Sequence, residues 1–157
     1  MKYTIRKMTA QEYPLLDDFL YEAIFVPEGV EPPSKSIITA PALQIYVKDF
    51  GTSKDDFSLV AEVENKIIGA VWVRIMNDYG HIDDRTPSLA ISLYKKYRGQ
   101  GIGSSLIKEM LSLLQAHGYK RVSLSVQKAN YAAKLYQKIG FRIIKEIGDE
   151  WIMTHNL

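Results

Sequence analysis

The chain has 157 residues, of which 46% are hydrophobic, and a formal net charge of +2. This length fits one domain, 1–157, with its own core. The net charge is too small to indicate nucleic acid as a partner, because the long-range field of a near-neutral chain is weak, and we expect no nucleic-acid partner. Cysteine is absent, which excludes disulfides, thiolate metal ligands and a cysteine nucleophile.

The N-terminal residues 1–6 lack the apolar stretch of a signal peptide, and no later apolar run is long enough to cross a bilayer. We therefore expect a soluble, cytoplasmic protein that has no membrane partner.

The first third of the chain predicts one strand and two helices. Residues 3–7 alternate apolar and polar side chains, as a half-buried strand does. Thr9 and Glu12 form a capping-box signature, which predicts a helix. Its apolar face would carry Leu15, Leu16, Phe19, Leu20, Ala23 and Ile24. After a proline-rich loop, 26–36, a second short helix is predicted with Thr39 as its N-cap and Gly51 as its stop.

The remaining segments predict alternating strands and helices. Segments 57–63 and 67–76 are rich in β-branched and aromatic residues and form a predicted hairpin. Strand 89–93 leads into a glycine-rich turn, and a helix follows that ends at Gly118. Strand 121–126, helix 130–138 and a final hairpin, 141–147 with 151–154, complete the order β α α β β β α β α β β. A helical crossover makes strands 89–93 and 121–126 parallel. We expect an α/β fold with one mixed sheet of about seven strands and four helices on its two faces.

The sequence R-G-Q-G-I-G at 98–103, the glycine turn, has the features of an anion-binding site. Glycines let the backbone approach a phosphate, and the free N–H groups at the start of the next helix point at it. A Walker P-loop would need a lysine after the last glycine, but Ser104 follows Gly103. A dinucleotide-binding turn would need a different glycine spacing and an acid at the end of the next strand, where Gln127 stands.

Two segments resemble the GNAT superfamily of N-acetyltransferases. The sequence Y-R-G-Q-G-I-G at 97–103 resembles the family's acetyl-coenzyme A pyrophosphate loop, and N-Y-A-A-K-L-Y-Q-K-I-G-F at 130–141 resembles its second signature. The resemblance implies a GNAT-like fold whose central strands splay around the coenzyme. It also implies transfer of an acetyl group from acetyl-CoA, the cosubstrate, to a primary amine by direct attack in a ternary complex, with no metal.

The resemblance also implies which residues bind the coenzyme: Leu93, Tyr94, Lys95, Arg98, Gly99, Gln100, Gly101, Ile102, Gly103, Ser104, Asn130, Ala133 and Tyr136. Tyr136 matches the tyrosine that protonates the departing thiolate, and a phenol is protonated at neutral pH. The Leu93 N–H region is the expected oxyanion donor. Asn130 is a helix cap, a coenzyme contact, or both.

The acceptor side is less defined, because strand 89–93 contains no carboxylate. The base remains open among Glu22, Glu28, Glu31, His81, Asp83, Asp84 and a chain of water molecules. The expected acceptor-lining residues are Glu22, Phe25, Glu28, Trp72, Tyr79 and His81. The acceptor is a small-molecule amine or a protein or peptide amine, and a homodimer is also allowed. The alternative is a non-catalytic acyl-CoA-binding sensor or interaction module of the same fold.

Overall fold

A computed structural model describes residues 2–157 of the chain. The strands and helices are β1 (Thr4–Lys7), α1 (Leu16–Ala23), α2 (Pro41–Gln44), β2 (Phe57–Val63), β3 (Lys66–Arg74), β4 (Ser88–Leu93), α3 (Ile102–Ala116), β5 (Arg121–Gln127), α4 (Ala132–Ile139), β6 (Arg142–Ile147) and β7 (Glu150–Asn156). This order confirms the predicted sequence of elements. Within residues 2–157, none of the helices combines the length and the apolar character that a membrane crossing requires.

The strands form one seven-stranded sheet in the order β1-β2-β3-β4-β5-β7-β6. Neighbouring strands are antiparallel except β4 and β5, which are parallel, as the helical crossover predicts. The register between β4 and β5 consists of the pair Ser88↔Ser123. Beyond this pair the two strands diverge, and we call the gap between them the wedge. The mixed sheet with splayed central strands confirms the expected fold.

Helices cover both faces of the sheet. On one face, α3 and α4 bury apolar side chains such as Leu106, Met110 and Ala133 against β2, β3, β4 and β5. On the other face, Phe19 of α1 and Val47, which follows α2, pack around Trp72 of β3. The wedge therefore has a helical layer on each side of it, so side chains from both layers can contact a ligand within it.

The first helix begins later than the sequence pattern predicts. The capping box is present, because the Glu12 carboxylate accepts a hydrogen bond from the Thr9 N–H at 2.8 Å. However, Ala10–Leu15 is a 3-10 helix, and α1 begins at Leu16. Pro14 lies in this 3-10 segment and has no N–H to donate, so a regular α-helix starts only after it.

The prediction of the second helix was wrong in its cap and its length. Ala40, not Thr39, is the N-cap, and α2 ends at Gln44. Turns follow to Gly51, because Asp49 adopts a left-handed φ of 55° before Gly51 does so at 94°. Two smaller differences concern α4, which begins at Ala132 instead of residue 130, and β3, which begins at Lys66.

Candidate active site

The wedge is lined by backbone groups of β4. The Tyr94 N–H donates to the Ile68 carbonyl at 3.0 Å, in register with the β3–β4 pair Gly69↔Leu93. In an antiparallel pair, alternate residues point their N–H and C=O groups away from the partner strand. Ile91 and Leu93 therefore direct these groups toward β5, beyond the point where β5 pairs with β4. A ligand that carries amide groups can hydrogen-bond to β4 there.

The glycine turn places free N–H groups at one end of the wedge. Gly99 and Gly101 have left-handed φ values of 75° and 86°, and Gly101 is the N-cap of α3. A Cβ at either glycine would meet no atom within 4 Å, so the space beside the turn is open. The Ser105 N–H donates to the Gly101 carbonyl at 3.1 Å, whereas the N–H groups of 102–104 precede the helical hydrogen-bond ladder. This geometry suits an anion such as a pyrophosphate.

Arg98 connects the glycine turn with β4 and α1. Its Nε donates to the Leu93 carbonyl at 2.9 Å. Its Nη2 donates to the Glu22 carbonyl and to the Glu22 carboxylate, each at 3.2 Å. Lys95, Lys96 and Gln100 are exposed beside it, and the Gln100 amide donates to the Lys96 carbonyl at 3.3 Å. The turn thus carries positive charge from Lys95, Lys96 and Arg98. The charge of Arg98 is partly neutralised by Glu22.

Tyr136 lies on α4, on the α3 side of the wedge. Its side chain is 9% exposed and packs beside Phe141, with ring centroids 6.0 Å apart. Burial raises the pKa of Tyr136 to about 12, so the phenol stays protonated at neutral pH. The Tyr136 hydroxyl has no hydrogen-bond partner within residues 2–157 and remains available to a ligand.

Asn130 lies one residue before Tyr131, the N-cap of α4, and its side chain contacts the first turn of the helix. Its Oδ1 accepts a hydrogen bond from the Ala132 N–H at 2.9 Å, and its carbonyl accepts from the Ala133 N–H at 3.1 Å. The predicted cap position is therefore wrong by one residue, because the helix begins at Ala132, although the Asn130 side chain accepts from the N–H of that residue. A contact between Asn130 and a coenzyme stays a prediction.

One of the expected acceptor-lining residues, Trp72, lies in the core instead of an open site. Trp72 is 0% exposed, and its indole N–H donates to the Tyr46 carbonyl at 3.1 Å, so it is a core residue and cannot line an open site. Its strand is central in the sheet and is covered by α1 and the segment after α2. Phe25 is half-buried and Glu28 exposed on the loop beyond α1. Tyr79 is 63% exposed.

Two of the expected base candidates are held in ion pairs. Glu22 pairs with Arg98. Asp83 accepts from the Arg85 N–H and pairs with Arg121 at 2.9 Å, and these two contacts lower the pKa of Asp83 to about 2. His81 is half-buried, with its Nδ1 buried and unpaired within the part of the chain described.

A polar cluster that the sequence did not indicate lies at the closed end of the wedge. The Tyr46 hydroxyl donates to Asp78 Oδ2 at 3.0 Å, and the Ser88 hydroxyl donates to Asp78 Oδ1 at 3.0 Å. Ser88 also lies 3.4 Å from the Ser123 hydroxyl, between the two strands that diverge. Burial and the charge of Asp78 raise the pKa of Tyr46. Sequence reasoning missed this cluster because Tyr46 and Asp78 are 32 residues apart.

A small cavity of about 110 Å³ lies between α1 and the end of β4, lined by Asp18, Tyr21, Glu22, Lys35 and Tyr94. Burial, Asp18 and Glu22 raise the pKa of Tyr94. A larger, shallow groove of about 520 Å³ lies on the edge formed by β1 and β2, beside Lys2 and Glu64. The wedge, in contrast, carries the free N–H groups of β4, and Tyr136 lies in the helical layer beside it.

Comparisons with known proteins agree with this geometry. The model of the acetyltransferase (GNAT) family matches residues 21–141. Human N-acetyltransferase 8B is 32% identical over 84 residues, which are 53% of this chain and 37% of the human protein. The chain aligns with between 23% and 40% of the length of the curated relatives that it matches.

Solved structures match over the whole chain. The PaiA N-acetyltransferase of Thermoplasma acidophilum, in complex with coenzyme A, covers 100% of both chains with a TM-score of 0.73 and 21% identity. A GNAT family acetyltransferase of Elizabethkingia anophelis, with acetyl-CoA bound, covers 99% of this chain and 98% of its own, with a TM-score of 0.67 and 25% identity. The first likeness concerns the fold alone.

Proposed function

Because the chain belongs to the GNAT acetyltransferase family, we propose that it transfers an acetyl group from acetyl-CoA to a primary amine. The observation that carries the proposal is the wedge, where the N–H groups of Ile91 and Leu93 have no partner on β5 and the free N–H groups of the glycine turn follow along the chain. This arrangement matches an elongated ligand that has amide groups along its arm and a pyrophosphate at one end. The named activities of the relatives, such as human N-acetyltransferase 8B, support acetyl as the group transferred.

In the proposed complex, the pyrophosphate binds to the N–H groups of 102–104, with Lys95, Lys96 and Arg98 near its charge. The pantetheine amides bind to Leu93 and Ile91, which places the thioester deeper in the wedge. Tyr94, Asn130 and Ala133 flank the arm. The register of β4 and the start of α3 support these positions.

The proposed chemistry is direct attack by a neutral amine on the thioester carbonyl. Negative charge develops on the carbonyl oxygen, and the free β4 N–H groups of the Leu93 region, including that of Ile91, are the donors that stabilise it. The C–S bond then breaks, and Tyr136 donates its proton to the thiolate. A phenol of pKa about 12 is protonated at any pH at which the amine is active, so Tyr136 is always in the donor state.

The test is release of free thiol from acetyl-CoA in the presence of amines of different classes: 1,4-diaminobutane, benzylamine, alanine amide and a hexapeptide with a free N-terminus. We expect thiol release with at least one of them above the rate without amine, and the acetylated amine by mass spectrometry. Acetyl-CoA binding by calorimetry without thiol release across the panel would contradict the proposal and identify a non-catalytic acyl-CoA sensor.

A further inference from the structure

We propose that Asp78 accepts the proton of the acceptor amine, and that Tyr46 and Ser88 position its carboxylate. This inference rests on the proposed function, because it assigns a role within the same reaction. Asp78 lies on the loop between β3 and β4, outside both segments that resemble the family, and the strand expected to contain a base has none.

The Asp78 carboxylate is fixed from two directions. Tyr46, after α2, donates to Oδ2 at 3.0 Å, and Ser88, the first residue of β4, donates to Oδ1 at 3.0 Å. A carboxylate oxygen accepts more than one hydrogen bond, so both oxygens keep capacity for another donor. Asp78 itself is half-buried, so one side remains accessible.

The Ser88 side chain contacts Asp78, so the face of the sheet on which Ser88 lies is also the face on which the Asp78 carboxylate lies. Side chains alternate along β4, so Ser88, Ala90 and Ser92 share one face. That face is the one covered by α1, because the Ser92 hydroxyl donates to the Phe19 carbonyl at 2.6 Å. Tyr136 belongs to the opposite face, with α3 and α4. Asp78 and Tyr136 therefore flank the wedge from opposite faces of the sheet.

Three other carboxylates near the sheet have cationic partners, whereas the partners of Asp78 are neutral hydroxyls. Glu22 pairs with Arg98, Asp83 with Arg121, and Asp56 with Arg74. The negative charge of Asp78 is consequently not cancelled by a contacting cation. It is available to a positively charged nitrogen at the closed end of the wedge.

The titratable groups that face Asp78 come from three segments. Tyr46 packs against it from the segment after α2, and its raised pKa keeps the hydroxyl a neutral donor. His81 belongs to the same loop, and its backbone N–H donates to the Asp78 carbonyl at 3.1 Å. Glu150, at the start of β7, faces Tyr46, and burial and Asp149 raise the pKa of Glu150.

The step balances in atoms and charge. As the N–C bond forms, the nitrogen becomes positively charged and passes one proton to Asp78 through water molecules in the wedge. The C–S bond breaks, and the thiolate takes the proton of Tyr136. Asp78 then loses its proton to water and the Tyr136 phenolate regains one from water, which returns both residues to their starting states.

The test is the pH profile of kcat/KM for Asp78→Asn with the fastest amine of the panel, between about pH 6 and pH 9.5. We expect kcat/KM of the variant to be about 100-fold lower than that of the wild type at neutral pH. The difference should become smaller as the pH rises, because hydroxide then accepts the proton that the missing carboxylate would take. Acetyl-CoA affinity by calorimetry should equal that of the wild type, which also shows that the variant folds. Asp49→Asn, an exposed carboxylate three residues after Tyr46, should show neither effect.

Tyr46→Phe is the second variant and removes only the positioning hydroxyl. We expect a smaller loss of about 10-fold in kcat/KM at neutral pH, also narrowing at high pH, with unchanged coenzyme affinity. A loss that is the same at every pH, or no loss in either variant, would overturn the inference while the wild type remains active. A wild type that releases no thiol would overturn the proposed function itself, and with it this inference.

Discussion

The two sides of the wedge present different kinds of chemical group. On the proposed donor side, the available groups are backbone N–H and C=O groups of β4 and the glycine turn, all within residues 91–104. On the acceptor side, they are side chains from separate segments, such as Tyr46, Asp78 and Ser88. Backbone groups are the same in every residue, so the donor side depends on conformation, whereas the acceptor side depends on side-chain identity. This difference predicts that mutations on the two sides affect different kinetic constants.

The largest expected effect separates proton donation from binding on the donor side. Tyr136→Phe should lower kcat by about 100- to 1,000-fold because the thiolate then leaves without a proton donor. Affinity for acetyl-CoA should stay nearly unchanged, since the ring and its packing against Phe141 remain. Thiol-release kinetics together with calorimetry measure both quantities. Tyr131→Phe, on the same segment and 82% exposed, is the matched control. Full turnover in Tyr136→Phe would remove this residue from the mechanism.

The next effect tests whether conformation defines the donor side. Gly101→Val should weaken acetyl-CoA binding by about 100-fold, because the valine side chain enters the open space beside the turn and is strained at a φ of 86°. Gly118 has the same φ of 86° and the same open surroundings at the other end of α3. Gly118→Val should therefore cost similar stability, about 1–2 kcal/mol, without loss of affinity. Equal coenzyme dissociation constants for the two variants would contradict the assignment of the turn.

A smaller effect concerns Arg98, which contacts both β4, through the Leu93 carbonyl, and α1, through Glu22. Glu22→Gln should strengthen acetyl-CoA binding by about two- to fivefold, because it removes the carboxylate that partly neutralises Arg98, and partly exposed pairs are worth about 0.2–1 kcal/mol. The gain should decrease with added salt. Glu109→Gln, which removes an exposed charge from α3, should change affinity less. Weaker binding by Glu22→Gln would mean that Glu22 holds Arg98 in its productive position instead.

The smallest effect concerns the anchoring of the segment that leads into α1. Hydrogen bonds from Arg6 lower the pKa of Glu12 from 4.5 to about 2. Because the folded-state pKa is depressed, this stabilisation is present above pH 4.5 and is lost as the pH falls toward 2. Glu12→Gln should lower the melting temperature by about 2–4 °C at neutral pH, and the difference from the wild type should shrink over that acid range. A difference that is constant with pH would exclude the ion pair as its cause.

The donor side and the order of elements could be predicted because their signals are local. The glycine turn and the helix after it are contiguous, and the crossover between β4 and β5 fixes their parallel pairing. The buried positions of α3, such as Leu106 and Met110, follow from helical spacing.

The acceptor side could not be predicted because burial and pairing there are tertiary. From the sequence we predict that Trp72 lines the acceptor site, but α1 and the segment after α2 cover its side chain completely. The sequence pattern predicts Tyr46 as an apolar position of the second helix. In the structure that helix ends two residues earlier, and the Tyr46 hydroxyl donates to Asp78. Glu22 and Asp83 read as free acids, and only the fold brings arginines to them.

The most direct test of the central claim is an NMR titration of the backbone amides with acetyl-CoA. If the wedge and the glycine turn hold the coenzyme, the largest chemical-shift changes should occur at Ile91, Leu93 and residues 102–104, whose N–H groups point into the site. Saturable binding with those amides unchanged, and shifts confined to another surface such as the β1–β2 edge, would contradict the account.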